Sequence, residues 1–405
     1  MENPHALPLL DLLIGVVIVL AILFKSAFER LGLPALAGFI VLGFLLRIAD
    51  DAVNLISADG HVVLEFLGRI GVFTILFRVG LESDLPGLVE KLPRATPIWI
   101  SNVVLSGVPA YWVAHHWLGV PLISSLFIAI ALTATSIAVT SEIWSEAGAI
   151  TSANGELMLD VAELDDVSAV ALVALLLALV PVLHGETDGT IAGALFGASA
   201  TFLVKAFIFG AICLMFARYA EHHIARFIKA IEPPYGILFV AGIGIVIAAL
   251  AAQLGFSFAI GALFAGLVFS RDPNVVHMEA SFEPVHDFFM PFFFIAVGLS
   301  MDPQSLASAS VLGGVLLVVA ILGKVIGAGA PAYFTAGWSG AVLIGISMVP
   351  RAEIALVVAR QGKDLGEWAL TPEAYSALVL IVAVTCTLAP TVVRSLLRRW
   401  PQEKR

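Results

Sequence analysis

The sequence predicts an all-α, polytopic membrane protein with about thirteen transmembrane helices, because three of its features agree. First, 60% of its 405 residues are hydrophobic and 13% are charged, whereas charged residues approach roughly a quarter of a soluble domain. Second, the apolar residues fall in runs close to the roughly 20 residues that a helix needs to cross a bilayer. Third, Lys and Arg are concentrated in alternate connections between these runs, a pattern typical of membrane proteins.

The apolar runs follow one another closely, and no connection is long enough to hold a folded domain. They cover approximately residues 7–24, 31–49, 62–80, 97–117, 120–143, 155–183, 190–217, 235–252, 255–270, 286–300, 309–334, 338–360 and 374–397. The first run is expected to be a retained span, because no basic segment precedes it. No soluble regulatory domain is expected.

The basic residues predict that the N-terminus lies outside and the C-terminus inside the membrane. With this orientation, the outer side holds Arg47, Arg360 and Lys363. The inner side collects a much larger set, namely Lys25, Arg30, Lys91, Arg94, Arg218, Arg226, Lys229, Arg271, Arg394, Arg398, Arg399, Lys404 and Arg405. An odd number of spans agrees with this N-out, C-in topology.

The fifth and twelfth segments contain residues that favour an interrupted helix. The stretch 133–136 is rich in hydroxyl groups and has little bulk. A broken helix at bilayer depth lines a cavity, where its free carbonyls can bind ions. The alternative is that these hydroxyls bond back to their own helix or join neighbouring helices. In the twelfth segment Pro350 removes a backbone donor, and Arg351 and Glu353 follow at once, which a simple proline kink does not explain.

The positions of the two breaks bear on internal symmetry. If the first segment is set aside, the others divide into two sets of six, with the breaks in the fourth and fifth members of their sets. A parallel duplication would place the breaks in register. Inverted repeats with differently grouped helices remain possible, and two interrupted helices then indicate a binding site near the membrane midplane.

The sixth segment carries three carboxylates within four residues, Glu163, Asp165 and Asp166. Acids at bilayer depth are rare and costly, so this cluster predicts a site that handles a cation or a proton. On a helix Glu163 and Asp166 share a face, whereas Asp165 is rotated by about 100° from Asp166. One aspartate can therefore pair with a fixed cation while the other stays open to an ion. The alternative is an acidic first turn, which the helix-like stretch 155–161 argues against.

The eleventh segment supplies a cation, Lys324, between Gly323 and Gly327. Small residues at four-residue spacing allow close helix packing. We expect this packing to bring Lys324 to the helix that carries Asp165 and Asp166, because a buried ammonium group needs a carboxylate neighbour to stay charged.

Taken together, these pieces resemble the monovalent cation–proton antiporters, in the Asp-Asp branch that includes sodium–proton exchangers and Kef-like potassium transporters. The matching stretches occur in family order and span nearly the whole chain. They are 132–140, 164–167, 292–302, Lys324 and 349–356, with a weaker match at 76–82.

The resemblance implies a homodimer in the lipid bilayer, in the inner (plasma) membrane of a prokaryote. A mobile core, approximately 97–183 and 286–360, would contain two crossed, interrupted helices of the inverted repeats. A dimerisation part would comprise approximately 1–96, 190–270 and 374–397. No enzyme activity is expected, because no His/Glu metal pattern lies within the apolar segments, and no cofactor is expected beyond the transported ions.

The resemblance also assigns roles to the polar residues of the core. Asp166 would bind the cation, Na⁺, and the proton alternately, while Asp165 would pair with Lys324 and open when the ion is bound. Residues at the two helix breaks would complete the site, namely Thr133, Thr135 and Ser136 at the first and Arg351 and Glu353 at the second. Glu163 departs from the family pattern and would pair with Arg351 or extend the ion site.

The function implied by the resemblance is exchange of Na⁺ for protons by alternating access, electrogenic in stoichiometry and serving pH homeostasis. Three alternatives remain open. They are a Kef-like K⁺/H⁺ antiporter, an electroneutral exchanger and a cation channel whose carboxylates form a static selectivity ring.

Overall fold

The computed structural model describes residues 6–82, 85–185, 191–216, 235–254, 256, 258–270 and 279–402. Every regular element in these ranges is helical, so the prediction of an all-α protein is confirmed. Six of the described helices are long and apolar enough to cross a membrane, as expected of an integral membrane protein. The count of thirteen crossings and the N-out orientation stay predictions.

The helices fall on the predicted apolar segments, with two differences. They are α1 Ala6–Arg30, α2 Ala35–Val53, α3 Ala58–Glu82, α4 Leu85–Trp112, α5 Leu122–Thr133, α6 Ile137–Glu146, α7 Ala153–Leu183, α8 Ile191–Met215, α9 Tyr235–Gln253, α10 Phe258–Phe269, α11 Glu279–Leu299, α12 Leu306–Ser347, α13 Glu353–Asp364 and α14 Pro372–Arg399. A π-helical turn, Val113–Trp117, extends α4. The eleventh segment and the start of the twelfth are joined in α12, which changes direction at Gly337, where φ is 67°.

The chain divides into two compact units. The first comprises Met1–Leu85 and Leu177–Ser300. In it α3 packs on α10 and α11, and α11 packs on α2. Glycines permit this close packing, since a Cβ atom on Gly266 would lie 2.8 Å from the Cα atom of Gly80. The first unit is therefore held by backbone-to-backbone contacts between helices.

The second unit comprises Pro86–Leu176 and Met301–Arg405. It contains both interrupted helices, with α13 packed on α5 and α14, and α12 packed on α14. This grouping places 374–397, expected in the dimerisation part, with the interrupted helices, and 286–299 with the first unit. Packing does not identify which part moves or dimerises, so the core and dimerisation domains stay predictions.

Within the second unit, the glycines beside Lys324 pack on α4. A Cβ atom on Gly323 would lie 2.6 Å from the carbonyl oxygen of Leu105, and one on Gly327 would lie 2.9 Å from the Cα atom of Asn102. The sequence predicted that this packing brings Lys324 to the helix of Asp165 and Asp166, and the Lys324 ammonium group does reach Asp165 on α7. The backbone packed against the two glycines is that of α4, which the glycine spacing alone does not specify.

Gly323→Ala is expected to lower the stability of the protein by about 1–3 kcal/mol, because the new methyl group meets a backbone carbonyl that cannot swing away. The melting temperature of the purified protein in detergent measures the effect. Gly314→Ala is the matched control, since the same added Cβ atom on the same helix meets nothing within 4 Å. Equal melting temperatures for the two variants would contradict this account of the α4–α12 contact.

Candidate functional site

The first helix break lies between α5 and α6, as predicted. α5 ends at Thr133, Ala134 is extended, and Ser136 begins α6 by accepting a hydrogen bond from the backbone amide of Val139. The Thr133 hydroxyl donates to the Ile130 carbonyl of its own helix at 2.8 Å. The expectation of hydroxyls bonding back to their own helix is therefore right for Thr133, although the helix is broken there.

The second break lies between α12 and α13. Helical geometry stops after Ser347 and resumes at Glu353, on either side of Pro350. The breaks meet, because the Ser136 amide donates to the Pro350 carbonyl at 2.8 Å. The Thr140 hydroxyl also donates to the Ser347 carbonyl at 2.9 Å. The two interrupted helices predicted from the sequence are thus joined at their breaks.

Arg351 ties the two breaks together by hydrogen bonds to backbone carbonyls. The side chain is fully buried. Its Nε and Nη2 atoms donate to the carbonyl of Leu132, at 3.2 and 3.1 Å. Nη2 also donates to the Ala320 carbonyl at 2.9 Å, and Nη1 donates to the Val349 carbonyl at 2.7 Å. The guanidinium group therefore satisfies the carbonyls of Leu132 and Val349, which helix ends leave without an intrahelical partner, and adds a hydrogen bond to Ala320 inside α12.

The sequence left open a pairing of Arg351 with Glu163, and the structure gives Arg351 other partners. The hydrogen bonds of Arg351 in the described part of the chain go to carbonyl oxygens rather than to a carboxylate. Glu163 lies on α7 and is half-buried. The sequence alone cannot show this arrangement, because the N–H donors of a guanidinium group bind carbonyl oxygens as readily as carboxylates.

Lys324 and Asp165 form a fully buried ion pair. The Nζ atom of Lys324 lies 2.7 Å from Oδ2 of Asp165, and both side chains have 0% exposure. Lys324 also donates to the Thr135 hydroxyl at 2.8 Å and to the carbonyl of Thr133. The Thr135 hydroxyl in turn donates to Asp165 Oδ2 at 2.7 Å. The structure thus brings together four of the residues singled out in the sequence.

Asn102 on α4 is a further member of this cluster that the sequence reasoning missed. Its side chain is fully buried, and Nδ2 donates to Asp165 Oδ2 at 2.5 Å. The signal was available, since an amide in the middle of an apolar segment is as unusual as a buried acid. The sequence did not show which residue Asn102 would contact, because Asn102 and Asp165 lie 63 positions apart.

Asp166 lies beside this pair but has a different environment. It is 6% exposed and lies near the backbone amide of Thr135. No described lysine or arginine forms an ion pair with it, and its Oδ1 atom has no hydrogen-bond partner in the described ranges. Glu353 lies nearby at the start of α13 and accepts a hydrogen bond from the Ser136 hydroxyl at 3.3 Å. One buried aspartate is therefore neutralised by a fixed cation and its neighbour is not.

Comparisons with known proteins agree with this architecture. The chain is 29% identical over 336 residues to the high-affinity Na⁺/H⁺ antiporter NhaS3 of Synechocystis sp., covering 80% of this chain and 70% of the relative. It is 26% identical to the Na⁺/H⁺-K⁺ antiporter GerN of Bacillus cereus, covering 80% and 81%. The fold matches a solved structure of the sodium proton antiporter MjNhaP1 from Methanocaldococcus jannaschii over 97% of each chain, with a TM-score of 0.69 and 14% identity.

The family model described as "Sodium/hydrogen exchanger, transmembrane" matches residues 15–399. Nearly the whole chain, including both helix breaks and the buried aspartates, lies inside this match. The chain therefore belongs to the sodium/hydrogen exchanger family of membrane transporters, whose members are cation/proton antiporters rather than enzymes.

Proposed function

We propose that this antiporter exchanges Na⁺ for protons by alternating access, with Asp166 as the group that binds the two in turn. One observation carries the proposal, namely that Asp166 is buried beside the Asp165–Lys324 pair without a cationic partner of its own among the described residues. A buried carboxylate in this position is costly unless a proton or a bound cation neutralises it.

The same cost gives obligatory coupling. Asp166 can cross the membrane interior with the moving part when it carries a proton or a cation, whereas the empty charged form cannot. Thr135 and Ser136 lie at the first break, and the Thr135 hydroxyl accepts a hydrogen bond from Lys324 and donates to Asp165. Release of Lys324 would free the Thr135 hydroxyl oxygen for the cation, with Ser136 next to it in the same break. Exchange follows because each return step needs the other ion.

The Asp165–Lys324 pair gives the proposal its electrogenic part. Cation binding would draw Asp165 toward the ion and release Lys324, which could then give up a proton as well. More protons than cations would move in each cycle. An electroneutral exchanger would instead keep Lys324 as a structural partner throughout.

The remaining features of the proposal concern assembly and setting. The protein would form a homodimer in the inner (plasma) membrane of a prokaryote and serve pH homeostasis. The bacterial relatives support the prokaryotic membrane, and the homodimer follows from the family resemblance of the sequence. K⁺ is the second candidate for the transported ion, because the relative GerN is named as a Na⁺/H⁺-K⁺ antiporter.

Purified protein in proteoliposomes with an imposed pH gradient tests the proposal. Addition of NaCl is expected to dissipate the gradient, choline chloride is expected to leave it intact, and KCl is expected to act more weakly than NaCl. Clamping the membrane potential at different values should change the rate of exchange. A potential-independent rate would contradict electrogenic exchange, and cation flux without proton movement would indicate a channel.

A further inference from the structure

Asn102 reaches Asp165 from α4, a helix that contributes neither interruption. Its amide group is fully buried, with Nδ2 at 2.5 Å from Asp165 Oδ2. Thr135 and Lys324 donate to the same carboxylate oxygen. Because an ionised carboxylate can only accept hydrogen bonds, the nitrogen of Asn102 must be the end that faces Asp165. The carbonyl oxygen Oδ1 is then the other end of the amide.

The carbonyl oxygen of Asn102 has no hydrogen-bond donor within the described ranges, although it is buried. The same is true of Oδ1 of Asp165 and Oδ1 of Asp166. These oxygens belong to three side chains of one cluster, and each is an acceptor without a donor. Buried acceptors are normally satisfied, so a group of them beside an ion site calls for a positively charged ligand.

The position of Asn102 is fixed by its surroundings. A Cβ atom on Gly327 would lie 2.9 Å from the Asn102 Cα atom, so α12 lies directly against this point of α4. Nearby on α4, the Trp99 indole donates to the Ser168 hydroxyl of α7 at 3.2 Å. The backbone of Asn102 is therefore held against α12 near a contact with α7, and its amide is anchored by Asp165, which gives the rigidity required of a ligand that discriminates between ions.

We propose that Asn102 is a neutral ligand of the transported cation, with its amide nitrogen holding Asp165 and its carbonyl oxygen binding the cation together with the aspartates. The inference rests on the proposed exchange function and adds a ligand from α4 to it. Carboxylate and amide carbonyl oxygens are ligands that hard cations prefer. Because the amide carries no charge and takes no proton, it contributes to cation affinity without competing for the proton.

The test compares Asn102→Leu, which has a similar shape and no polar atoms, with the wild type in proteoliposomes. The apparent KM for Na⁺ is expected to rise roughly tenfold or more, while the maximal rate stays within a few-fold of the wild type. A residue that only maintained the fold would lower the amount of active protein and leave KM unchanged. The Na⁺-dependent rise in melting temperature should shrink in parallel, since it reports binding without transport.

Asn154→Leu is the matched control. Asn154 also donates its amide to a side chain, Gln402, at 2.8 Å, but it does so at the start of α7. Its KM for Na⁺ is expected to equal that of the wild type. If Asn102→Leu does not fold, Asn102→Ala takes its place with the same expected rise in KM.

An unchanged KM and an unchanged thermal shift in the folded Asn102 variant would overturn the inference while leaving the exchange function intact. Absence of Na⁺-driven proton flux in the wild type would overturn the proposed function instead. In that case the thermal shift with Na⁺ still decides whether Asn102 binds the cation.

Discussion

Proteoliposomes that contain the Asp166→Asn variant are expected to show no cation-driven proton flux above that of protein-free vesicles. Asparagine keeps the shape of the side chain but can neither take up a proton nor neutralise a bound cation. The Asp165–Lys324 pair at 2.7 Å does not replace it, because Asp165 already has a fixed cationic partner. Collapse of an imposed pH gradient on addition of NaCl is the measurement.

Glu156→Gln is the matched control for Asp166→Asn. Glu156 lies in the exposed first turn of the same helix, so its replacement makes the same charge change outside the site. Its exchange rate is expected to equal that of the wild type. The Asp166→Asn protein is also expected to melt no lower than the wild type, because the substitution removes an unpaired buried charge. Retained exchange by Asp166→Asn would reject its role as the shared binding group.

The parts of this molecule that could be predicted from the sequence are those that depend on neighbouring residues. Apolar runs predict helices because backbone groups in lipid must be satisfied within the segment. The breaks at 133–136 and Pro350 could be predicted because the residues responsible are adjacent in the chain. The charges of Asp165, Asp166 and Lys324 marked the candidate site, because charged residues in apolar segments are rare unless they have a function.

The parts that could not be predicted are the pairings between distant positions. Arg351 donates to the carbonyl of Leu132, 219 positions away, and a carbonyl oxygen leaves no mark in a sequence. Asn102 was missed because no motif connects it with Asp165. The glycine pair beside Lys324 was recognised as a packing surface, but its partner helix depends on which face of each helix turns inward. The pattern of residue types shows which face of a helix must pack closely, but it does not show which other helix packs on that face.

Arg351→Met is expected to be the most destabilising of the substitutions considered, with a loss of at least about 3 kcal/mol. The substitution keeps the apolar stem but leaves the buried carbonyls of Leu132 and Val349, at the helix ends, without this donor. Each buried acceptor that loses its partner costs about 1–3 kcal/mol. The melting temperature in detergent is therefore expected to fall sharply, together with the yield of folded protein.

Arg360→Met, on α13 just after the break that holds Arg351, is the matched control for this loss. Arg360 pairs with Asp364 at 2.8 Å across one helical turn, and the Asp364 side chain is 55% exposed, so the pair contributes about 0.3–0.5 kcal/mol. Similar melting temperatures for the two variants would reject the role of Arg351 as the tie between the breaks.

The Arg351→Met protein that does fold is expected to keep the wild-type KM for Na⁺, because the guanidinium group is bound to carbonyls and not to the aspartates. A changed KM would instead make Arg351 part of the ion site, and the stability and transport measurements together distinguish these two roles.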